Sequence, residues 1–177
     1  MSRRNNNASF RIALSGLLLA IMLILGYIES LIPLPVMGMK LGISNGVLLF
    51  SLYLLDIPTT IILMVLKVGL STLMFGGANV QKLLLALSGG ALSLLGMIPL
   101  SRVKGLSEIP VSMVGAELHN IGQIIAATYL LHLPANALLR LLVILMAVAL
   151  VTGAATGVLA REVIKRLGPM VRKRKGA

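Results

Sequence analysis

Acidic side chains are scarce in this chain, five in 177 residues, and cysteine is absent altogether. Without cysteine there are no disulfides, thiolate metal sites or thiol nucleophiles, and nothing indicates a redox compartment. Charged residues of both signs reach only 12% against 58% apolar residues, and mean hydropathy is +1.00. Water-soluble domains carry ~25% charged and about 45–50% apolar residues, so the composition is that of an all-α integral membrane protein. The length fits one transmembrane domain over residues 1–177.

What charge there is has one sign: the net charge is +11. A basic balance suits nucleic acid or anionic lipid, and its placement decides between them. Arg3, Arg4, Arg11, Arg102, Lys104, Arg161, Lys165, Arg166, Arg172, Lys173, Arg174 and Lys175 sit at the two termini and in one short loop. That distribution fits membrane topology, with membrane lipids as partner, and not a nucleic-acid groove. The basic tail 172–175 reads as a topology anchor against anionic headgroups.

A transmembrane helix needs ~20 mostly apolar residues. The candidates are 10–32, 41–55, 57–75, 83–100, 109–131 and 138–160. The first stops at Pro33-Leu34-Pro35. It is too long for the apolar region of a signal peptide and lacks a small-residue cleavage site. Loops are expected at 76–79, 101–107 and 132–134. The second candidate, interrupted by Gly42, Ser44, Asn45 and Gly46, reaches only about 22 Å against a ~30 Å hydrocarbon core. If it crosses there are six spans, and if it dips and returns there are five. With six, the twelve basic residues above share a side, and only Lys40, Lys82 and Arg140 face the other. This asymmetry selects six helices with both termini cytoplasmic, in a multi-pass protein of the cytoplasmic membrane.

Ionisable groups at membrane depth face the bundle interior or a water-filled cavity. Lys67 lies near the middle of the third span, and Glu117, His119, Asn120 and Gln123 lie within the fifth. At about 100° per residue the latter four fit an arc of about 160° on one helix face. Lys67, Glu117 and His119 are expected to form an intramembrane polar network, with Lys67 and Glu117 as opposite-charge partners at matched depth. A polar seam that only pins helix register is the alternative. One His and one Glu without a second His at helical spacing make no metal site, and no catalytic residues or cofactor are expected.

A second polar group belongs to the external half. Tyr27 and Glu29 end the first span, and Lys40, Ser44 and Asn45 open the second. Asn79, Gln81 and Lys82 precede the fourth, and Asn136 and Arg140 open the sixth. A short helix starting below the surface leaves room for a pocket, and its N-terminal N–H groups can face an anion. Lys40, Ser44, Asn45, Asn120 and Gln123 are the candidate ligand-binding residues, for a neutral or anionic small molecule. Snorkelling to headgroups is the competing explanation for Lys40, Lys82 and Arg140. Gly16-x-x-x-Ala20, Ala86-x-x-x-Gly90 and Gly153-x-x-x-Gly157 permit close helix packing, within the bundle or against another subunit.

The strings Met39-Lys40-Leu41-Gly42-Ile43-Ser44-Asn45-Gly46, Ser88-Gly89-Gly90 and Gly115-Ala116-Glu117-Leu118-His119-Asn120-Ile121-Gly122-Gln123 resemble one family over almost the whole chain. It comprises small membrane proteins labelled heptaprenyl diphosphate synthase component I, also called Gx transporters. Prenyl diphosphate synthases hold Mg²⁺ with aspartate-rich clusters, whereas Asp56 is the single aspartate here. The six-span pattern is instead similar to the substrate-binding (S) components of energy-coupling factor transporters. That resemblance implies an S-component-like bundle with an external ligand pocket. It also implies a transmembrane coupling subunit docked on the first helix, where Gly16-x-x-x-Ala20 is nearest to the family's Ala-x-x-x-Ala pattern. No Walker sequence is present, so partner ATPases would supply the energy. The alternatives are a non-catalytic membrane subunit that recruits an isoprenoid- or flavin-handling enzyme and, on a thin acid–base inventory, a membrane enzyme.

Overall fold

The structure is a computed structural model that describes residues 2–32, 39–75, 77–132 and 134–175. The Pro33-Leu34-Pro35 stop lies outside the described residues, as do Gly76 and Leu133 of two expected loops and the side chains of Arg3, Arg4 and residues 172–175. Among the described residues six helices follow one another: α1 (Ser2–Ser30), α2 (Ile43–Leu54), α3 (Ile57–Phe75), α4 (Val80–Leu100), α5 (Glu108–Leu131) and α6 (Ala135–Lys175). Among the described residues four stretches are long and apolar enough to cross a membrane, namely Ala8–Ser30, Ile57–Phe75, Val80–Leu100 and Leu139–Pro169. The protein is therefore a multi-pass membrane protein.

Its burial is that of a bundle in lipid. Leu17, Ile24, Leu73, Leu95, Val143 and Val151 lie exposed on the outside, while Glu29, Asn45, Lys67, His119, Asn120 and Gln123 are buried. In hydrocarbon the polar groups must find partners inside the protein.

Helix directions follow from which residues meet. At one end Arg11 pairs with Asp56, and at the other the Tyr27 and Phe75 rings lie 5.0 Å apart, so α1 and α3 run parallel. Glu29, near the end of α1, bonds Ser44 at the start of α2, so α2 runs back towards Asp56. α4 and α5 are antiparallel, because a Cβ on Gly115 would meet Met97 while one on Gly122 would meet the Ser88 carbonyl. α5 and α6 are antiparallel too. Asn120 donates to the Leu145 carbonyl at 2.9 Å, and Cβ atoms on Gly153 and Gly157 would fall 2.8 and 2.7 Å from the Met113 and Ile109 Cα atoms. Gly153 and Gly157 thus bring two backbones into contact inside the bundle.

The helices outrun the expected spans at both termini. α6 continues past Ala160 because a stripe of Ala160, Ile164, Gly168 and Val171 stays at least partly buried, and Ile164 and Val171 join the apolar cluster that also holds Leu54, Leu94 and Val111. Spacings of four, four and three keep one helix face on the bundle, while Arg161, Lys165 and Arg166 are exposed.

The second element is shorter than expected. α2 has 12 residues, about 18 Å of helix, and Lys40, Leu41 and Gly42 precede it as non-helical chain. Its first turn meets His119 and Lys67, the twelfth residue of α5 and the eleventh of α3. The helix therefore begins at the middle level of its neighbours, and the non-helical residues 39–42 lead into it. Gly42 makes the turn with φ 86°, a left-handed conformation that disfavours other residues.

A candidate polar site at the start of the short helix

A broken helix at membrane depth leaves backbone groups without partners, and in a dry surrounding each costs several kcal/mol, on the order of a lost hydrogen bond or more. Two side chains meet that demand. Glu29 reaches across from α1: one carboxylate oxygen accepts the Ile43 N–H at 2.5 Å, and the other accepts the Ser44 hydroxyl at 2.7 Å and the Ser44 N–H at 3.4 Å. A carboxylate also suits the partial positive charge of a helix N-terminus. From α5, Gln123 accepts the Lys40 N–H and donates to the Lys40 carbonyl, both at 2.8 Å. It holds the Lys40 peptide through both of its backbone groups.

A second chain of bonds links three helices. The Lys67 ammonium donates to Asn45 Oδ1 at 2.5 Å, and Asn45 Nδ2 lies 2.5 Å from His119 Nδ1. Lysine can only donate, so the amide oxygen faces Lys67 and the amide nitrogen faces the ring. Nδ1 therefore accepts, and the ring proton sits on Nε2. The imidazole fills a slot between Gly42 and Gly89, where added Cβ atoms would fall 3.0 and 2.6 Å from it. Glycine at 89 is thus a requirement of close approach.

These groups surround a cavity of about 10 Å³, lined by Lys40, Ser44, Lys67, Val68, Ser71, Ala86, His119 and Gln123. That is roughly the room of one water molecule. Lys40 and Lys67 place two ammonium groups at it, and Glu29 interacts electrostatically with both. A second cavity of about 10 Å³ lies between α2, α4, α5 and α6, lined in part by Asn45, Ser93, Ser112, Thr152 and Thr156. Among the described residues no group of three or more His, Asp or Glu side chains is placed to hold a metal ion.

The expected site residues separate on this geometry. Lys40, Ser44 and Gln123 come together at the first cavity, and Asn45 joins them through Lys67 and His119. Asn120 does not: its amide is turned to α6, and its Oδ1 is buried without a partner. The expected Lys67–Glu117 pair is corrected as well. Lys67 bonds Asn45, whereas both Glu117 oxygens are buried without a hydrogen bond. The arc explains it. His119, Gln123 and Asn120 centre about 115° away from Glu117 around α5, and Glu117 shares its side with Val114 and Ile125, both exposed.

Glu29, Gly42 and Gly89 are the site members that the candidate residues left out. Glu29 left a signal, as the one acidic residue near the external ends of the spans. Gly16 lines a groove of about 490 Å³ between α1 and α3, with Ala8, Ser15, Leu19 and Leu63, and Ala20 is exposed on α1.

Fold and site define a polytopic helical membrane protein with a small buried polar centre. The profile of the family described as heptaprenyl diphosphate synthase component I matches residues 18–163, and the chain belongs to that family. Comparison with curated proteins and with solved structures found no match.

Proposed function

We propose that this chain is the membrane-embedded, non-catalytic substrate-binding component of an energy-coupling-factor-like transporter for a small neutral or anionic molecule. In this reading it has six spans in the cytoplasmic membrane, with both termini on the cytoplasmic side. The observation that carries it is the buried cavity where two lysines, a histidine and two serines converge at the start of a half-length helix. Convergent polar groups among apolar walls are the usual form of a small-molecule site, and discontinuous helices at mid-depth recur in transporters. The room of about one water corresponds to a closed state that must widen to admit a ligand. The exposed Gly16 and Ala20 face of α1 is where a coupling subunit would dock, with ATPases behind it.

Uptake with quantified membrane expression tests this. Lys40→Ala or Lys67→Ala should reduce uptake per folded molecule, and unimpaired uptake in both would remove the cavity from consideration. Mass spectrometry of small molecules retained by the purified protein identifies the ligand. A reporter fused at Ala177 should report the cytoplasmic side.

The family's description favours a second reading, a membrane subunit that recruits a soluble isoprenoid-handling enzyme. Stable co-purification with such an enzyme, and no uptake, would select it.

A further inference from the structure

The buried side chains of this site divide into those that are used up and those that are not. Gln123 spends both its amide groups on the Lys40 peptide. Asn45 spends both of its own on Lys67 and His119. Lys67 is 6% exposed, and among the described residues its ammonium makes one hydrogen bond. Two N–H donors remain for the cavity it lines. Lys40 lines the same cavity, and among the described residues no hydrogen bond occupies its ammonium. Against these two cations stands one carboxylate, Glu29, which is turned to the amides of α2 and makes no ion pair with either.

We infer that Glu29 is a latch standing in for an oxyanion of the ligand: a carboxylate or phosphate seats at Lys67 and Lys40 and takes over the α2 N-terminus as Glu29 withdraws. The inference rests on the transport reading only in calling that oxyanion part of a transported molecule. Two features support a carboxylate that can leave. It is the penultimate residue of its helix. That helix is the least embedded, with 11% of its apolar window buried against 39% for α3. Its bonding partner Ser44 is itself a wall of the cavity, so withdrawal widens the site where the oxyanion must enter. The incoming group accepts the same Ile43 and Ser44 donors, and no backbone group is left unpaired.

The test uses the full chain in phosphatidylcholine nanodiscs, with inorganic phosphate titrated by calorimetry. Thermal melts followed by far-ultraviolet circular dichroism run in parallel, with and without phosphatidic acid in the discs. A latch closed about nine-tenths of the time weakens apparent affinity about tenfold. Glu29→Gln removes the competing charge, and Glu29→Asp keeps the charge but shortens its reach to α2. Both should bind phosphate about tenfold more tightly than the unmodified chain. Adding Lys67→Met to Glu29→Gln should abolish the binding. The same pattern confined to discs with phosphatidic acid assigns the oxyanion to a lipid headgroup and supports the latch. Tighter binding in Glu29→Gln with unchanged affinity in Glu29→Asp overturns it, since charge alone then explains the effect. Unchanged affinity or no binding in both variants, in both arms and with native melts, also overturns it. The latch pattern without any uptake would sink the transport reading alone, and uptake with indifferent Glu29 variants would sink the latch alone.

Discussion

The bundle has two halves built by different means. In α4, α5 and α6 glycines bring backbones together: Gly122 meets the Ser88 carbonyl and Gly89 Cα, and Gly153 and Gly157 meet the α5 Cα atoms. In α1, α2 and α3 the joints are side chains, with Glu29 on Ser44, Lys67 on Asn45 and Arg11 on Asp56. A backbone contact has no slack, whereas a side-chain bridge can be exchanged for another acceptor. The glycine slab is therefore the tightly packed wall of the site, and the proposed latch lies in the half joined by side chains.

The largest effect should come from the slab. Gly122→Ala and Gly153→Ala should each destabilise by about 3 kcal/mol, near the top of the range for overpacking, because the added methyl meets backbone atoms at 2.5 and 2.8 Å. Thermal unfolding in detergent reads this, and near-native midpoints would mean that the slab has slack after all.

Next in size, Lys67→Met or Asn45→Ala should cost about 1–3 kcal/mol, because each strands a buried polar partner. The double mutant should be less damaged than the sum by about 1 kcal/mol. Lys67→Met and Glu117→Gln should instead add independently, to within about 0.5 kcal/mol. Clear coupling between those two would restore the ion pair that the geometry lacks.

A smaller effect, of opposite sign, belongs to Glu117. Its carboxylate has no hydrogen-bond partner, so Glu117→Gln should leave the midpoint unchanged or raise it by about 1 kcal/mol or less. The smallest effect is expected at Gly16, where an added Cβ has nothing within 4 Å. Gly16→Ala should not shift the melt and should alter only co-purification with a docked subunit.

Several of these elements were legible in the residues. Hydropathy locates the apolar helices, and the broken run from Gly42 to Gly46 marks the short one. The buried positions of Lys67 and His119 follow from what lipid excludes. Partner choice was not legible, for a geometric reason. An arc of about 160° on a helix is wider than the strip any one neighbour covers, so Glu117, Gln123 and Asn120 share a face in projection, but Gln123 meets the Lys40 peptide, Asn120 the α6 backbone, and Glu117 no hydrogen-bond partner. Glu29 was hidden differently: its partners lie 14 and 15 residues along the chain, a separation that no helical or strand periodicity encodes.

Gln123 grips the peptide of residue 40 and not its side chain. Any amino acid that keeps a backbone N–H, which means every one but proline, can stand there and be held on the same path. The position behaves as a socket: its side chain forms a wall of the cavity, and exchanging it re-tools that wall while the fold stays as it is. If the cavity takes a guest as proposed, Lys40 is the place to begin in retuning its selectivity, because the backbone there is held independently of the side chain.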